Sequence, residues 1–202
     1  MADLTIYGFA PSTYVRSARL FCEEKGVDHT LEDPGNGPAH PFGKIPAMKH
    51  GDVALYESVA IGRYIDEAFD GPALQPADAA GRALMTQWMS VLVDYVYGTV
   101  VRGLVIPRLV HARQGKPVDD DAIQENLPAV AKHLAVLESG LNGQEHFAGD
   151  APTLADWLIE PVITYVTFTP EGGDLMAEAP NLAAWHGRMA SRPSFKATLP
   201  EM

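Results

Sequence analysis

The stretch FDGPALQPAD, residues 69–78, separates two segments whose apolar residues repeat with different periods. Before it come short runs bounded by turn formers: LTIYG (4–8), VDHTLE (27–32), IPAMKH (45–50) and VALY (53–56). Their length and their Val, Ile, Thr and Tyr content predict strands, the last two joined at Gly51-Asp52 as a hairpin. Between them Val15, Ala18 and Cys22 share one side of a helix that Gly26 stops, and Ile61, Tyr64, Ile65, Ala68 and Phe69 mark a second helix. That order predicts a small α/β module with a mixed sheet. After the connector no strand pattern remains. A long apolar helical pattern runs from Ala79 to about Arg113 with Trp88, Leu92, Tyr95 and Val96, and Pro107 inside it predicts a kink or break. Ile123, Leu127, Ala131, Leu134, Leu137 and Leu141 form an amphipathic helix, and further helical runs start at Leu154 and Leu182. The boundaries expected are 1–72, a linker at 73–78, and 79–202.

With 202 residues, 47% of them apolar, the chain has enough material for a sizeable core. Its net charge of −11 disfavours nucleic acid and anionic membranes as partners, but leaves room for a small anion held locally. A single cysteine, Cys22, excludes an internal disulfide framework and suits a reducing compartment. No run of about 18 uncharged apolar residues suggests a membrane span. MADLTIYG lacks the features of a leader peptide, so a cytoplasmic location is expected.

Three hydroxyls, Ser12, Thr13 and Tyr14, stand where the first helix begins. Either Ser12 or Thr13 can cap that helix, a contribution of about 0.5–2 kcal/mol, or one of them can face an external anion. A helix N-terminus offers free N–H donors and partial positive charge, both of which favour a bound thiolate over a thiol. A free thiol, with a pKa near 8.5, is about 3% ionised at neutral pH, and a shift of about two units raises that to about three quarters. In PFGKIPAM (41–48) Pro46 belongs at a strand start or on an edge, where the Ile45 backbone is free to pair with a peptide. Glu57 and Ser58 open the second helix; Ser58 can cap it or hold a carboxylate, and Glu57 can meet an ammonium group. Thr153 and Asp156 have the spacing of a capping box, a folding device.

Taken in order, these segments resemble a cytosolic glutathione transferase of the serine-type classes, nearest the phi and bacterial patterns. YGFAPSTYVRSARLFCEEKGVDH resembles the family's first strand, active-site loop and first helix; HPFGKIPAM its cis-proline segment; GDVALYESVAIGRYID its hairpin and Glu-Ser pair; FAGDAPTLADW its helical-domain capping box. The resemblance covers about residues 3–195. It implies a thioredoxin-like α/β N-terminal domain with a mixed four-stranded sheet, an all-α C-terminal bundle, and a homodimer. It carries the activating hydroxyl onto Ser12, with Thr13 and Tyr7 as alternatives. It assigns Ile45 and Pro46 to the cysteinyl part of glutathione, Glu57 and Ser58 to its γ-glutamyl end, and Lys44 to a ligand carboxylate.

His40, a further candidate for binding glutathione, stands where the family usually has Asn, and the short loop before it leaves the glycyl carboxylate without clear counterparts of the phi residues that hold it. The reaction implied is attack by glutathione, a co-substrate and not a bound cofactor, on a small hydrophobic electrophile, with no metal. Tyr14, Tyr95, Tyr97 and Trp157 are candidates for the electrophile side, and Asp94 for reaching a neighbouring subunit's ligand. Detoxification is the role this implies. Thiolysis or dehalogenation on the same fold, and a non-catalytic scaffold, are the alternatives.

Overall fold

The computed structural model describes residues 4–200; Met1–Asp3, which open the segment read above for a leader, lie outside the described residues. Strand β1 (Leu4–Tyr7) turns Leu4 and Ile6 into the core and leads through the Ser12 loop into α1 (Thr13–Lys25). Gly26, at φ 77°, ends α1: its N–H reaches the Glu23 carbonyl, and the Val27 N–H the Cys22 carbonyl at 2.9 Å. The chain returns as β2 (His29–Glu32), parallel to β1, in the register Leu4 with His29. The hairpin β3 (Ala47–His50) and β4 (Val53–Tyr56) follows, with β3 antiparallel to β1, so the sheet order is β2-β1-β3-β4.

β3 is therefore an interior strand, so of the two placements open to Pro46, a strand start or an edge, it takes the strand start. Ile45 and Pro46 precede Ala47, which pairs with both Tyr7 and Tyr56, so they project beyond the end of the sheet. The freedom of the Ile45 backbone comes from that overhang.

Helix α2 (Ser58–Ala68) packs Ile61 and Ile65 against α1, and Gly62 permits the approach: a Cβ there would lie 2.8 Å from the Phe21 ring. The connector is pinned rather than slack. Asp66 accepts from Lys25 and from the Leu74 N–H, each at 2.8 Å, and the Leu154 N–H donates to the Leu74 carbonyl at 2.9 Å.

Beyond the connector every element among the described residues is helical. Helix α3 (Ala79–Val91) continues without interruption into a π-wound segment, Leu92–His111, which passes straight through Pro107. The segment does not break at Pro107: with the wider i→i+5 winding the missing N–H would have served a different carbonyl. By length and mean hydropathy (1.5) Ala79–His111 could span a bilayer. Here it packs against α4 (Asp120–Gly140) and α5 (Leu154–Thr167), with Leu92, Val96, Val100 and Leu104 buried. Helix α5 is buried along almost its whole length, Pro161 included. The short α6 (Gly172–Ala177) and α8 (Pro193–Thr198), which carry too few apolar residues to show a period, flank α7 (Pro180–Ala190).

Candidate functional site

A cleft of about 1100 Å³ opens where the C-terminal end of β1 meets the N-termini of α1 and α2 and the π segment. Ser12, Tyr14, His40, Lys44, Ile45, Pro46, Glu57 and Ser58 all line it, although they span 47 positions of the chain from 12 to 58.

Ser12 occupies the capping position of α1 in extended conformation (φ −68°, ψ 129°), yet its hydroxyl caps nothing. Its carbonyl takes the first helical bond, from Arg16 N–H at 2.9 Å. The hydroxyl therefore stays uncommitted beside the free N–H groups of the helix. Thr13 points the other way: it is buried, its Oγ1 has no partner among the described residues, and it does not line the cleft. Tyr7 borders the cleft, largely buried, with Gly37 lying flat on its ring. Cys22 is inaccessible and its thiol is pushed up to about 12 by burial, which removes it as a nucleophile.

On the opposite side the Ile45–Pro46 peptide is cis. Glu57, not Ser58, is the capping residue of α2, and its φ of 70° is uncommon for a side chain with a Cβ. Such a conformation costs on the order of 1–3 kcal/mol and is concentrated at ligand clamps. Ser58 follows as the first, buried residue of the helix. The Phe42 N–H occupies His40 Nδ1 at 3.1 Å, so Nε2 carries the proton and faces Glu57 Oε1 at 3.4 Å. Lys44 is exposed on the cleft rim.

The π segment supplies Val93, Tyr97, Arg102, Ile106 and His111. These follow one another at steps of four and five, the spacing of a helix wound wider than 3.6 residues per turn. Tyr97 stacks on Tyr14 with centroids 4.5 Å apart, and Arg102 lies over the Tyr97 ring at 5.7 Å. Burial, then the phenol of Tyr97 and the carboxylate of Glu57, raise the pKa of the Tyr14 hydroxyl, which stays protonated.

Two candidates for the electrophile side fall away. Trp157 is fully buried on α5 beneath the Arg192 guanidinium, 5.2 Å from its ring centroid. Tyr95 is 64% exposed but off the cleft, because residues 93 and 97 share the helix side that lines it and 95 lies on the other. Asp94 is exposed. Arg102, His111, Val93, Ile106 and Phe9 were missed by the sequence reading; the four-and-five spacing was the signal for all but Phe9.

Residues 6–73 match the model of the glutathione S-transferase N-terminal domain, and residues 100–193 that of the C-terminal domain. Over 98% of its length the chain is 34% identical to glutathione S-transferase F14 of Arabidopsis thaliana, of which it covers 84%. It is 32% identical to glutathione S-transferase 3 of Zea mays over 98% of this chain and 94% of that protein. Among solved structures, glutathione S-transferase III in apo form superposes with a TM-score of 0.86 at 31% identity, covering 98% of this chain and 99% of that one. The theta-class enzyme of Xanthomonas axonopodis pv. citri with glutathione bound gives a TM-score of 0.83 at 26% identity over 100% and 99% of the two chains. Both halves of the chain, and relatives similar to it along nearly its full length, show that it belongs to the glutathione S-transferase family.

Proposed function

We propose that this chain is a glutathione transferase in which Ser12 donates a hydrogen bond to the sulfur of bound glutathione and holds it as thiolate. The observation that carries the reading is the Ser12 hydroxyl: it sits at a helix N-terminus, spends nothing on capping, and faces the cleft. The Ile45 backbone, overhanging the sheet, pairs with the cysteinyl part of the tripeptide. Ser58 and the N-terminus of α2 receive the γ-glutamyl carboxylate, Glu57 its ammonium, and Lys44 the glycyl carboxylate. The thiolate then attacks an electrophilic carbon of a small apolar molecule lying against Tyr14, Tyr97, Val93 and Ile106. A C–S bond forms, the leaving group departs with its electron pair, and the thiol proton passes to solvent. No covalent enzyme intermediate is needed.

In this reading residues 1–72 bind glutathione, 73–78 connect, and 79–202 supply the electrophile wall. A homodimer acting in the cytoplasm in detoxification is the corresponding biological setting. The test is turnover of 1-chloro-2,4-dinitrobenzene with glutathione at neutral pH. Ser12→Ala is expected to lower kcat/KM about twentyfold, the loss of ionised thiol that a two-unit shift represents, while Thr13→Val stays close to wild type. Wild-type turnover by Ser12→Ala would remove the assignment.

A further inference from the structure

Glutathione, placed as above, leaves one cation of the cleft without a counterpart. Lys44, the α2 N-terminus and Glu57 account for the charged ends of the tripeptide. Arg102 stands on the opposite, helical wall, and its recorded contact is the Tyr97 ring at 5.7 Å. Among the described residues no carboxylate or carbonyl oxygen pairs with its guanidinium. Other arginines of this acidic chain are held differently: Arg108 by Glu171 and Asp120, Arg192 by Glu24, Arg82 by the carbonyls of Pro76 and Ala77. With a net charge of −11, a cation in a cleft that no acid claims is conspicuous.

Its surroundings define what it can take. Tyr14 and Tyr97 stack face to face in the cleft that Ser12 lines, and Arg102 lies over the Tyr97 ring. Val93 and Ile106, one turn of the wide helix to either side of Tyr97 and Arg102, add apolar walls. A planar ring set in the cleft against the side of this tyrosine stack would keep its reactive carbon toward Ser12 and an acidic substituent toward the guanidinium, whose planar fork suits a carboxylate. Resting on the transferase reading above, we propose that Arg102 is a specificity-determining residue that selects aromatic electrophiles carrying a carboxylate. The global field of the protein repels such molecules, so the preference depends on this one local charge and is weakened by salt.

The test uses a matched pair, 4-chloro-3-nitrobenzoate and its methyl ester, at saturating glutathione. In both the thiolate displaces chloride from the ring: C–S forms, C–Cl breaks, chloride leaves with the bonding pair, and the thiol proton goes to buffer. Each kcat/KM is divided by the uncatalysed rate with glutathione, which removes the difference in intrinsic reactivity. Wild type is expected to favour the acid about three- to fivefold, chiefly through KM, as an ion pair to an exposed guanidinium provides. Arg102→Gln should bring the acid-to-ester ratio to about one, Arg102→Lys should retain part of it, and rising salt should erode it in wild type. Absence of acid preference in wild type, or equal losses on both substrates in Arg102→Gln, overturns the proposal while leaving the transferase reading intact. Failure of wild type to bind glutathione or to turn over either substrate overturns both.

Discussion

Asp156 shows how much one residue at a helix start can hold when its oxygens are fully used. Oδ2 accepts from the Thr153 N–H at 2.9 Å and from its hydroxyl at 3.1 Å; Oδ1 accepts from the Phe147 N–H at 3.2 Å and from Trp185 Nε1 at 2.9 Å. The residue is completely buried. Asp156→Ala would leave those donors buried and unpaired, at about 1–3 kcal/mol for each that water cannot reach. We expect a loss of about 3–5 kcal/mol, read as a fall in the urea midpoint, and a smaller loss for Asp156→Asn, which keeps one acceptor oxygen. A midpoint close to wild type for Asp156→Ala would mean that solvent replaces these bonds. Ser12 is the opposite case, a helix-start side chain whose polar atom is left unspent. Both positions were legible in the sequence as helix starts, because capping chemistry is local. That Asp156 also reaches Trp185, 29 residues on, was not, since that contact exists only after α7 has packed.

Helix α1 is tied to the helical half by a buried ion pair. Arg16 and Glu160, both fully inaccessible, approach to 3.3 Å; Arg16 also lies 4.5 Å from the Phe195 ring centroid, and Glu160 accepts from the Thr164 hydroxyl. Burial lowers the pKa of Arg16 and raises that of Glu160, each opposed by the attraction of the other. Arg16 stands one turn beyond Ser12, so this pair anchors the functional end of α1 against α5 and α8. Removing one partner strands a buried charge: Arg16→Met is expected to cost about 3–5 kcal/mol. The double variant Arg16→Met/Glu160→Leu should recover most of that in the same denaturation measurement. Additive losses would show that the two side chains act independently. The amphipathic stripe of α1 was readable at Val15, Ala18 and Cys22, but Arg16 and Ser17 are equally buried because α1 is covered on two sides. The π segment was read as a helix yet its cleft face was not, since a search at steps of three and four passes over residues 93, 97, 102, 106 and 111. Pro107 pointed to a break for the same reason.

At the scale of the molecule, an α/β layer delivers strand ends and two helix N-termini to one edge, and a helical layer closes the other side of the cleft with the π segment. The division of the chain into these layers was visible in the change of period at the 69–78 connector, and the local motifs marked one wall. The second wall depends on how the π segment packs against the sheet layer, which no single stretch of sequence records. The proposed catalysis requires that cleft to raise the acidity of a thiol at Ser12. The measurement that addresses it is the ultraviolet thiolate absorbance of enzyme-bound glutathione, titrated against pH in wild type and in Ser12→Ala. The expected midpoint is about two units below the free thiol in wild type, with a return toward about 8.5 in the alanine variant with the tripeptide still bound. An unchanged midpoint in Ser12→Ala, or a wild-type midpoint equal to that of the free thiol, would contradict it.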